Sequence, residues 1–111
     1  MDSILISIKK LLGIDESYDM FDPDIIIHIN SAFFVLYQLG VGRDPSTPFT
    51  INGINQLWSD FVDPSQVDLV KSYVYLKVRL LFDPPQNSSL LQAIKDQIAE
   101  FEWRATVSTD K

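Results

Sequence analysis

The stretch from Val70 to Pro85, VKSYVYLKVRLLFDPP, constrains the fold more than any other part of the chain. Read at the helical repeat it is apolar on more than one side, and a double proline cuts it off. In a chain of 111 residues such a helix cannot face water round most of its circumference. It must lie at the centre of a bundle, against a partner chain, or both. That placement points to a protein whose work is assembly.

Three further helices surround it in the sequence. The first covers residues 3–12, with Ile4, Leu5, Ile8, Leu11 and Leu12 on one face and Gly13 as the stop. The second runs from Pro23 to Leu39; Asp22 is the expected cap, and Pro23 suits a first turn because its missing N–H has no helical partner there. Its stripe is Ile25, Ile26, Ile29, Phe33, Leu36 and Leu39, with Ile27, Phe34 and Val35 widening the apolar surface. The apolar third helix starts at Asp63-Pro64 and ends at Phe82. Val67, Val70, Val74, Val78 and Leu81 line one side of it, and Tyr73, Leu76 and Leu80 another. The fourth starts at Asn87-Ser88-Ser89 and continues through Leu90, Leu91, Ile94, Ile98 and Phe101, forming a helical hairpin with the third. The expected fold is all-α: a four-helix bundle-like domain over residues 1–104, with residues 105–111 as a flexible C-terminal tail.

Between the second and third helices, Gly40 to Asp63 is long for a connection in a compact domain. It has room for a short strand at Phe49-Thr50-Ile51 and one helical turn presenting Trp58. Large apolar residues in a long loop cover something. Two readings stand: a flap over the domain's own core, or an arm that packs on a neighbouring subunit.

Chemistry is sparse. With no cysteine and one histidine, His28, neither a thiolate metal site nor a nucleophile–base pair can be assembled. The acidic run Asp15 to Asp24 fails as a calcium loop, since Met20 stands where the tight-turn glycine belongs and Ile26 where the bidentate glutamate belongs. It reads instead as a solvated turn and helix cap. Fifteen acidic residues against nine basic ones, with no basic cluster beyond Lys9-Lys10, argue against direct phosphate binding. The N-terminal MDSILISIKKLLG lacks a signal peptide's charge pattern, and no apolar run approaches the ~20 residues that span a bilayer. No enzyme, cofactor, metal or membrane association is expected.

Taken in order, the motifs resemble the small head–tail connector (adaptor) proteins of tailed phages and prophages. The resemblance rests on LLGI (11–14), FDPDIIIHIN (21–30), QLGVG (38–42), FTI (49–51), LWSDF (57–61), VKSYVYLKVRLLFDPP (70–85) and LLQAIKDQIAEFEWR (90–104). It implies a non-enzymatic virion protein at the head–tail interface, present in the host cytoplasm during assembly. Such proteins form a ring beneath the portal, extend the DNA exit channel and dock the next connector or tail-completion protein. A ring of about twelve subunits is implied, with heterologous contacts. DNA would be non-specific cargo. Phe49, Ile51, Trp58, Phe61, Tyr73, Trp103 and Arg104 are the expected subunit or partner contacts. The rival reading is a small acidic protein-binding module outside the virion, a DNA-mimic inhibitor or a regulatory partner; a nucleic-acid-processing accessory factor ranks below it, because basic residues are few.

Overall fold

The computed structural model describes residues 3–44 and 46–109. Helix α1 (Ile4–Leu12) is capped by Ser3, whose Oγ accepts from the Ile6 N–H at 3.4 Å. Gly13 ends it at φ 81°, a left-handed conformation suited to glycine. The N–H groups of Gly13 and Ile14 then close onto the carbonyls of Lys10 and Lys9, at 3.1 and 2.9 Å. The buried face is Ile4, Leu5, Ile8 and Lys9. Leu11 is exposed, contrary to the stripe read from the periodicity, because the inward register runs through Leu5 and Lys9, one helical turn apart.

Lys9 explains how a charge sits at a core position. Its side chain is 2% exposed, and Nζ lies 2.8 Å from Asp22 Oδ1, 2.7 Å from the Tyr18 carbonyl oxygen and 3.1 Å from that of Glu16. The acidic turn between the first two helices thus folds round a buried ammonium. This use of Asp22 also corrects its expected role: it is the first residue of α2 (Asp22–Gln38), where Phe21 occupies the cap without a side-chain hydrogen bond.

α4 (Val67–Phe82) is the hub, packing against α1, α2, α5 (Ser88–Thr109) and the single turn α3 (Trp58–Phe61). A 3₁₀ turn, Pro64–Gln66, leads into it after Asp63. Val70, Tyr73, Val74 and Val78 form its buried side, and Val67, Tyr75, Leu76, Leu80 and Phe82 pack half-buried against the core on either hand. That is why its sequence is apolar nearly all round. Leu81, read with the core stripe, is instead exposed, lying in the last turn beyond Val78, the final fully buried position. The α4–α5 hairpin forms across Asp83-Pro84-Pro85. α5 continues through Ala105 to Thr109, past the point where apolar periodicity stops, since no glycine or proline interrupts it. Asp110 and Lys111, the end of the expected tail, lie outside the described residues.

The long loop is pinned at several points. Asn30, on α2, brackets Ile51: its Nδ2 donates to the Ile51 carbonyl at 3.0 Å and its Oδ1 accepts from the Ile51 N–H at 2.8 Å. One side-chain amide thus does for Ile51 what a neighbouring strand would do, and residues 49–51 pair with no strand among the described residues. The Ile4 N–H donates to the Gln56 carbonyl at 3.0 Å, joining α1 to the loop. Arg43 clips the loop's ends together, its Nε donating to the Ser59 carbonyl at 3.0 Å and its Nη2 to the Val62 carbonyl at 3.2 Å.

Candidate interface surfaces

Four of the seven expected contact residues gather inside the molecule. Phe33 of α2 is the centre of an aromatic cluster, with ring centroids 4.7 Å from Phe61, 5.4 Å from Phe49 and 6.2 Å from Trp58. Ile51, Trp58 and Phe61 are buried and Phe49 is half-buried. Trp58 Nε1 donates to Ser7 Oγ on α1 at 2.7 Å, so the indole's polar edge is also satisfied within the chain. In this fold the loop packs on its own core, and these side chains present little surface to a neighbour.

Gly42 is required for this packing. Its φ of +128° disfavours any side chain, and a Cβ there would lie 2.9 Å from Phe61 Cε1.

Tyr73 is the inner contact of the α4–α5 pair. Its ring stacks on Phe101 with centroids 4.5 Å apart, and its hydroxyl donates to Glu102 Oε2 at 2.7 Å. Lys77 Nζ stands 3.8 Å from the same oxygen. Burial, and then the hydrogen bond and charge of Glu102, push the Tyr73 phenol well above its ordinary value of 10.0.

Trp103 and Arg104 are the two expected contacts that face outward. Trp103 is 65% exposed. Arg104 bridges Glu100 at 2.7 Å, an exposed pair one turn apart and easily exchanged for a partner's carboxylate. Arg104 borders a cleft of about 830 Å³ between the first half of α4, the end of α5 and the turn after α2. Its apolar lining comes from Val41, Leu69, Val70, Phe101 and Ala105, and Gly40 and Gly42 add no side chain. Leu69 is 63% exposed although it sits on the hub helix. Leu69 falls one turn before Tyr73, on the Tyr73, Leu76 and Leu80 side, yet it stays uncovered in the first turn of α4 at the edge of this cleft.

Two other areas are open. On α2, Ile27, Asn30, Ser31 and Phe34 line a shallow groove, with Ile27 and Phe34 exposed. At the α1–α2 turn a row of rings runs from Tyr18 to Phe21 (5.5 Å), Phe21 to Phe82 (5.3 Å) and Phe82 to His28 (6.4 Å). Beside the row, Ser17 donates to Asp15 Oδ1 from its backbone at 2.9 Å and from its hydroxyl at 2.7 Å, holding the Asp15 carboxyl below the usual range. The sequence signal for this row was the aromatic spacing around the acidic turn, and the role of Phe82 in it depends on where α4 ends.

Among the described residues no group of three or more His, Cys, Asp or Glu side chains is placed to hold a metal ion, and no helix is long and apolar enough to cross a membrane. Compared with known proteins, residues 4–111 match the family model described as Phage connector protein. No curated protein and no solved structure gives a match.

Proposed function

Because the chain belongs to the phage connector protein family, a family of structural proteins, we propose that it is a head–tail connector of the virion. Its subunits form a closed ring beneath the portal that extends the DNA exit channel and docks the next connector or a tail-completion protein. The match over residues 4–111 carries this reading. The surface supports it: α4 lies between α2 and α5, and each flanking helix leaves large apolar residues uncovered, Ile27 and Phe34 on one, Leu90 and Trp103 on the other. Two unlike flanks are what a heterologous ring contact needs. The cleft edged by Leu69 and Arg104, with Trp103 beside it, is one half of that contact; the α2 groove is the other.

The formal charge of −6 per subunit, repeated round a ring, would make a channel wall that DNA phosphates slide past without sticking. Neutralising the acids that line the channel should slow or stall ejection. The end of α5 and the residues after it are assigned to the portal; deleting Ala105 to Lys111 should abolish portal binding, and retained binding would remove that assignment.

Native mass spectrometry across a wide concentration range, with negative-stain imaging of large species, tests the ring. Closed particles of about a dozen copies are the expected result. A strict monomer that also ignores purified portal would overturn the reading in favour of a small acidic binding module.

A further inference from the structure

The aromatic row at the α1–α2 turn is unused by the ring contact. A single exposed ring needs no explanation. Here Tyr18 and Phe21 are both open, Phe21 reaches across to Phe82 on α4, and neighbouring Met20 is 72% exposed, so the apolar surface is contiguous across two elements.

Its border is negative. Residues 15–24 hold Asp15, Glu16, Asp19, Asp22 and Asp24 and no basic residue. Asp22 is committed to Lys9, and the other four are exposed. Asp83 follows Phe82 directly and is exposed as well. The bases flanking this end are Lys10, in the last turn of α1, and Arg79, whose Nη1 points to the Tyr75 hydroxyl at 3.4 Å. They do not offset the acids.

We propose that this aromatic row with its acidic border is a docking surface for an arginine-bearing, apolar-anchored segment of another virion protein. The inference rests on the reading of the chain as an assembly protein, but not on ring formation. Arginine fits both halves of the surface: its guanidinium stacks on exposed rings and pairs with carboxylates. A second copy of this chain is a poor occupant on charge. Each copy carries a formal charge of −6, and the one run of adjacent bases in the sequence, Lys9-Lys10, has Lys9 buried against Asp22, so a second copy brings more acid than base to this surface.

The test uses the full chain, isotopically labelled, titrated with a short synthetic peptide of alternating arginine and leucine and followed by NMR. The same peptide with glutamate for arginine serves as control. Shifts concentrated on residues 15–24, His28 and Phe82 are expected. Phe21→Ala should weaken binding roughly tenfold. Asp19→Asn with Asp24→Asn, which leaves the ring packing intact, should weaken it similarly and guard against a misfolded Phe21 variant. Shifts spread over the whole surface, or unchanged affinity in the variants, would reduce the effect to general attraction between opposite charges and overturn the proposal. Shifts at the same residues on raising protein concentration without peptide would assign the surface to a second copy, which also overturns it. Either failure leaves the mass measurement of the ring untouched, so the two readings fall separately.

Discussion

Replacing Lys9 by methionine isolates one interaction that organises the α1–α2 turn. The apolar stem is retained and only the ammonium is lost. What remains is the Asp22 carboxylate, which is 21% exposed, and the carbonyls of Glu16 and Tyr18, all aimed at a thioether. Removing one partner of a buried pair costs about 3–5 kcal/mol when the other charge is left fully dry. Asp22 keeps some access to water, which lowers that figure. The two carbonyls lose charge-assisted hydrogen bonds, which raises it. The expected loss is about 2–4 kcal/mol, a large share of the ~5–15 kcal/mol that holds a domain of this kind together. Urea unfolding followed by far-UV circular dichroism measures it, with an unchanged m-value showing that the transition stays two-state. A cycle with Asp22→Leu then separates the pair from its surroundings. The double variant should recover part of the loss, because the carboxylate is no longer stranded. Hydrogen exchange in residues 14–21 should accelerate in Lys9→Met while the α4 core stays protected. A loss below about 0.5 kcal/mol, or strictly additive single variants, would refute the view that this ammonium holds the turn.

Other expectations follow from the same geometry. Trp58→Ala should destabilise the isolated subunit by about 3–5 kcal/mol, whereas Trp103→Ala should leave stability within ~0.5 kcal/mol and impair assembly. If Trp58→Ala left monomer unfolding unchanged and abolished rings, the loop would be an arm on a neighbour. Gly42→Ala should cost about 1–3 kcal/mol by thermal or urea unfolding, through its φ and the close approach of Phe61. Tyr73→Phe should cost about 1 kcal/mol near neutral pH. It should also flatten the alkaline limb of the stability curve. A phenol whose folded pKa is raised loses stability as pH climbs above the unfolded value of 10.0, because the unfolded chain releases the proton first. An identical alkaline slope in wild type and variant would show that Tyr73 is not sheltered.

What could be read from the residues alone was local. Apolar spacing at the helical repeat set the positions of α1, α2, α4 and the first part of α5, because each turn brings the same face round again. Gly13 and Asp83-Pro84-Pro85 marked where helices must stop, since backbone conformation and missing donors act within a residue or two. The demand that α4 be surrounded was also legible in its composition, and it is met within the chain by α1, α2, α3 and α5. Only tertiary contact decided which side of each element faces inward. Lys9 goes in and Leu11 out because the turn carbonyls and Asp22 converge on one point. Trp58 and Phe61 leave the list of accessible contacts because Phe33 and Ser7, distant in sequence, receive them. Asn30 and Ile51 meet across a loop whose length gave no register. Periodicity reports that a residue has a face; burial depends on what the rest of the chain brings to that face, and that is a non-local property.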